Sequence, residues 1–104
     1  MSNEYEIRIQ DKEVPAKALM ELKGATGLPL GELRRRVLDG EAVLGCQCSD
    51  DDGLARILAL HDSLLAQGIR TSLYEDGRLE DVGLFWNLLE SWRDTSREVG
   101  LNEF

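Results

Sequence analysis

Two cysteines and one histidine are the residues of this 104-residue chain best suited to metal or nucleophilic chemistry. Cys46 and Cys48 stand two apart in Ala42 to Cys48, a stretch that reads as a short strand, so both side chains are expected on one face. With His61 they would supply three of the four ligands a structural zinc takes. No fourth ligand is evident, and Cys-x-Cys is not a common zinc-knuckle spacing, so the thiols read as structural and no metal is expected. His61 falls between Leu58 and Leu65 on the inward stripe of a helix and reads as a packed or boundary histidine. As a catalytic base it would need a nucleophile and an orienting acid, and the sequence places neither beside it. There is no phosphate loop with its Lys-Ser/Thr and no Gly-x-Ser-x-Gly. The expectation is a protein that is not an enzyme, with no catalytic residues and no cofactor.

Charge narrows the partner classes. Twenty acidic residues against twelve basic ones give a formal net charge of −8. That balance repels a phosphate backbone, so nucleic acid is disfavoured as a partner. Gly24-Ala25-Thr26-Gly27 with Arg34, Arg35 and Arg36 downstream does fit the glycine-flanked loop with which KH domains clamp a nucleic-acid backbone. A tight turn followed by a solvated helix face accounts for the same residues. Asp50, Asp51 and Asp52 could attract a cation or a basic partner, but the alternating pattern of a calcium loop is absent, and a helix cap explains all three. No apolar run approaches the roughly 20 residues that span a bilayer. The first residues carry no basic segment followed by an apolar one, and two cysteines without such a signal point to a reducing, cytoplasmic setting.

The elements that must position these residues follow from periodicity. Tyr5, Ile7 and Ile9 alternate with Glu6, Arg8 and Gln10, which predicts a half-buried strand with one wet face. Val14-Pro15 opens a helix through Leu19 and Leu22, and Gly24 can supply its left-handed stop. Gly24 to Gly27 then reads as a tight connection. Leu28-Pro29 starts a second helix with Leu30, Leu33 and Val37 at helical spacing, ended by Asp39-Gly40. After the second strand, Ser49 can cap a helix that runs through Leu54, Ile57, Leu58, Leu64 and Leu65 to Gln67-Gly68. Ile69 to Tyr74 predicts a third strand, Glu75-Asp76-Gly77 a turn, and about Leu79 to Val99 a last helix. The predicted fold is α+β: a three-stranded antiparallel sheet with one layer of helices, in the order β-α-α-β-α-β, plus an added C-terminal helix.

The stretch Lys23-Gly24-Ala25-Thr26-Gly27-Leu28-Pro29-Leu30-Gly31-Glu32-Leu33 resembles the C-terminal domain of the bacterial ribosomal stalk protein, large-subunit protein seven/twelve. In that family a similar turn joins two helices inside the same element order, which matches here over about Tyr5 to Tyr74. The resemblance implies a stalk-like domain over residues 1–76 and a C-terminal helical extension over 77–104 that packs on the same domain. It also implies docking of a translation GTPase or ribosome-associated protein, with Lys23, Gly27, Leu30 and Arg34 at the matching contact positions. Pro15, Met20 and Gly31 depart from the family's usual residues there. The family's N-terminal dimerisation segment and hinge have no counterpart before the first strand.

The last helix carries both tryptophans. Val82, Phe85, Trp86, Leu89 and Trp92 form one stripe, widened by Leu84 and Leu88. Most of it should pack on its own domain, and the part around Trp86 or Trp92 is expected to meet a second chain. The functional expectation is therefore a non-enzymatic protein-binding domain that docks a translation factor. The alternative is an acidic immunity protein, a toxin inhibitor steered by its charge onto a basic enzyme, with Asp50 to Asp52, Glu75, Asp76, Glu80 and Asp81 as its anionic patches.

Overall fold

The computed structural model describes residues 4–102, and the side chains of residues 4–94. In chain order the elements are β1 (Glu4–Ile9), α1 (Ala16–Thr26), α2 (Leu30–Asp39), β2 (Ala42–Gln47), α3 (Asp51–Ala66), β3 (Thr71–Glu75), β4 (Arg78–Glu80) and α4 (Val82–Asn102). The strands form one antiparallel sheet in the order β2-β1-β3-β4. The class is α+β as expected, but the sheet has four strands rather than three.

The extra strand comes from the turn. Asp76 and Gly77 both take positive φ, 50° and 82°, the pairing whose twist matches that of the flanking strands in a two-residue hairpin. The chain therefore folds straight back along β3, with Glu75 opposite Arg78 and Leu73 opposite Glu80. Glu4 fastens the same turn to the first strand: its backbone N–H donates to Asp76 Oδ1 at 2.8 Å, and its carbonyl accepts from the Asp76 N–H at 2.8 Å.

The alternation in β1 sets the two faces of the sheet. Tyr5, Ile7 and Ile9 are buried, and the core gathers them with Ala18, Leu19 and Leu22 of α1, Leu33 and Val37 of α2, and the stripe of α3. Val43 stands where β1–β2 pairing slips between Ile7 and Arg8, which sends it and Leu44 both toward the core. The opposite face of β1 carries Glu6 and Arg8, joined by an ion pair at 3.2 Å, and the Arg8 guanidinium lies 4.2 Å from the centre of the Tyr74 ring.

Helix α4 joins the core layer instead of crossing that wet face. Phe85 and Leu89 are buried, and Trp92 is partly buried against the core. Phe85 and Trp92 both meet the Tyr5 ring edge-on, with centroids 5.5 and 5.4 Å away.

Three helix ends differ from the expectation, the first being that α4 begins at Val82 because Leu79 lies in β4. Helix α1 continues through Gly24 and stops at Gly27, whose φ of 74° supplies the left-handed cap while its N–H reaches the Lys23 carbonyl at 2.8 Å. Gly24, Ala25 and Thr26 are thus its last turn, held by Thr26 Oγ1 donating to the Leu22 carbonyl at 2.7 Å. The cap of α3 is Asp50, accepting from the Gly53 N–H at 3.0 Å, and not Ser49, which takes a φ of 71° in the turn before it. Gly53 is required there. A Cβ on it would lie 2.6 Å from the Cys46 Cβ, so only glycine lets the start of α3 sit this close to β2.

Candidate partner-binding face

Helices α1 and α2 form an antiparallel hairpin with one face in the core and one outward. On α1, Ala16, Met20, Lys23 and Gly27 follow at helical spacing and are exposed. On α2 the matching row is Leu30, Arg34 and Leu38, of which Leu30 is partly buried against the core. The rows meet in a groove of about 300 Å³ lined by Ala16, Leu19, Arg34 and Leu38 among others. Leu38, 60% exposed, lines this groove, and Met20, 57% exposed, lies on the outer row of α1 beyond it, so exposed apolar side chains stand among the hairpin's cations.

The cations are unequal. Glu32 Oε1 accepts from Arg35 at 2.7 Å and from Arg36 at 3.0 Å, and Arg35 also reaches Asp39 at 3.1 Å and Glu41 at 2.5 Å. Those arginines hold the Glu32 carboxyl at a pKa of about 2, the hydrogen bond from Arg35 contributing most. Arg36 also donates to the Ala42 carbonyl at 3.0 Å, which ties α2 to β2. Arg34 points away from this network and makes no ion pair among the described residues; the same holds for Lys23. Residues 12–38 hold six basic and three acidic side chains, a charge of +3, whereas the rest of the chain sums to −11. The partners Asp39 and Glu41 of Arg35 lie just beyond this segment, so what sets its outer face apart is the unpaired Lys23 and Arg34 rather than the sum of its charges.

The expected contact residues fall into two groups. Lys23, Gly27, Leu30 and Arg34 come together around the α1–α2 turn. Trp86 and Trp92 lie on α4, which packs chiefly against α3. Trp92 is engaged with Tyr5, and Trp86 remains 41% exposed. Leu38 was not singled out by the sequence, although it continues the spacing of Leu30 and Arg34; Leu19 was named only for the apolar side of α1. The partition of the three arginines was also legible, since Glu32 stands three and four residues before Arg35 and Arg36 but only two before Arg34.

The metal, nucleophile and clamp-loop arrangements that these residue types would allow do not assemble among the described residues. Cys46 is buried and Cys48 exposed, because β2 ends at Gln47 and the alternation lapses before Cys48. The two thiols therefore do not share a face. Burial pushes the Cys46 thiol up to about 11, with smaller contributions from Asp50 and Cys48. No group of three or more metal-capable side chains occurs among the described residues. His61 Nδ1 instead lies 2.5 Å from Thr71 Oγ1, and Leu65, expected on its inward stripe, is exposed. The glycine-flanked segment is helical and offers no clamp loop. No helix is long and apolar enough to cross a membrane among the described residues. Compared with protein-family models, curated proteins and solved structures, the chain matches none.

Proposed function

We propose that this chain is a non-enzymatic protein-binding domain whose docking face is the outer side of the α1–α2 hairpin. The observation that carries the reading is the isolation of Arg34 and Lys23 beside exposed Met20 and Leu38: unpaired cations next to exposed apolar side chains, within a segment of +3 in an acidic chain. Apolar anchors give affinity and unpaired cations give orientation, which is what a partner surface requires. The resemblance to the ribosomal stalk domain suggests a translation GTPase as partner, and Lys23, Gly27, Leu30 and Arg34 stand at the positions that reading needs. Trp86 is a separate exposed anchor on α4, suited to a second chain.

The inhibitor reading is supported by the −11 carried outside the hairpin. Its proposed anionic patches are partly committed elsewhere. Asp50 caps α3, Glu75 pairs with Arg78, and Asp76 and Asp81 accept backbone N–H groups. Titrating the chain with a purified bacterial translation GTPase tests the docking reading. Wild type should bind, and Arg34→Glu should weaken binding by about tenfold or more. Equal binding by the two would overturn it, and a steep loss of association rate with salt for a basic enzyme instead would favour the inhibitor.

A further inference from the structure

We propose that the free edge of β2 is a strand-addition site for an extended, lysine- or arginine-bearing peptide segment. Antiparallel pairing fixes which backbone groups face that edge. The Glu4 carbonyl accepts from Asp76 and the Gln10 N–H donates to the Arg70 carbonyl, so the even-numbered residues of β1 turn their backbone toward β3. Tyr5 and Ile7 then turn theirs toward β2, where they face Cys46 and Leu44. Gly45 and Gln47, one residue on from each, direct N–H and C=O away from β1. The Gln47 carbonyl accepts from the Asp50 N–H at 3.2 Å, and Arg36 caps the Ala42 carbonyl at the other end. Between these two stops, Gly45 N–H and C=O and Gln47 N–H have no partner among the described residues.

The side chains leave this window open. Edge strands are usually blunted by charge, proline or a bulge; Ala-Val-Leu-Gly-Cys-Gln has no charge or proline in a chain that is 31% charged, and its bulge at Val43 precedes this window. Beside the edge runs a groove of about 550 Å³, lined by Thr26, Leu28, Arg36, Val43 and Cys46 on the helix side. Alternate side chains of an added strand would enter it, while the intervening ones follow the sheet's outer face. Charge selects the occupant. Glu4, Glu6 and Asp50 line the same groove; Glu6 is paired with Arg8 and Asp50 caps α3, and the one arginine on the groove is held by Glu32 and Ala42, so the rim keeps a net negative charge. A second copy of the chain would bring two such rims and two charges of −8 together, whereas a cationic strand neutralises them. This site is distinct from the outer face of the hairpin and does not depend on it.

The test uses the full chain and an alternating lysine–valine hexapeptide, with a glutamate–valine hexapeptide as the charge control. The lysine–valine peptide should shift the Gly45 and Gln47 amide resonances and slow Gly45 N–H exchange about tenfold or more at saturation. The glutamate–valine peptide should do neither. N-methylation of alternate lysine–valine amides should abolish the effect, which tests backbone pairing without altering the protein. Equal binding of the N-methylated peptide, or resonance shifts without Gly45 protection, would overturn the proposal. So would Gly45 protection that rises with protein concentration in the absence of peptide, because the occupant would then be a second copy.

Discussion

Replacing Phe85 with alanine tests whether α4 belongs to the same cooperative core as the sheet. The ring is fully buried and meets Tyr5 edge-on at 5.5 Å. Truncating a buried phenylalanine costs about 3–5 kcal/mol, of which the ring–ring contact accounts for roughly 1 kcal/mol. At about 4–8 °C per kcal/mol for a domain of this size, Phe85→Ala should lower the Tm by roughly 12 °C or more. Urea unfolding followed by tryptophan fluorescence and by far-UV circular dichroism should give one coincident transition in both proteins. Trp86 and Trp92 both lie on α4, so fluorescence reports that helix while circular dichroism reports the whole chain. A loss below about 1 kcal/mol, or an early fluorescence transition separated from the circular dichroism, would refute the packing of α4 described above.

Other predictions concern single groups. Asp50→Ala removes the α3 cap and should cost about 1 kcal/mol in urea unfolding. Gly53→Ala should cost more than that, because its Cβ would meet the Cys46 Cβ at 2.6 Å. The Glu32 carboxyl should titrate by NMR near pH 2 rather than at its ordinary value of 4.5. Because its folded pKa is depressed, the stability it contributes is present above pH 4.5 and is lost as pH falls through about 2. At pH 8 a thiol reagent should modify Cys48 rapidly and Cys46 only on unfolding, since Cys46 is buried with a pKa of about 11. Two equally fast thiols would contradict that placement.

Much of the fold was written in periodicity. The alternation of Tyr5, Ile7 and Ile9 set β1 and its inward face, and Pro29 and Gly40 bracketed α2 as their backbone preferences dictate. Strand β4 was hidden because Arg-Leu-Glu is three residues long and carries no alternation of its own. Only the positive φ of Asp76 and Gly77 turns it back onto β3. Gly24 misled because glycine is tolerated inside a helix, and the hydrogen bond of Thr26 to Leu22 carries α1 on to Gly27. The place of Trp92 was not legible, since its partner Tyr5 lies at the other end of the chain. For the hairpin, Lys23, Gly27, Leu30 and Arg34 came from the resemblance to the ribosomal stalk domain, since spacing alone marks only the apolar stripe of Leu30, Leu33 and Val37. The isolation of Arg34 from its two neighbours follows from its two-residue distance to Glu32, which on a helix puts it off the face that Arg35 and Arg36 share with that carboxylate.

The central claim is that unpaired cations on the α1–α2 hairpin, and not overall charge, direct partner docking. Equilibrium binding of a purified bacterial translation GTPase to wild type, Arg34→Glu and Arg93→Glu tests it most directly, because the two variants change net charge equally. Arg93 is exposed on α4, away from the hairpin. The account predicts that Arg34→Glu weakens binding about tenfold or more while Arg93→Glu stays near wild type. Equal effects of the two reversals, or no binding by wild type, would contradict it.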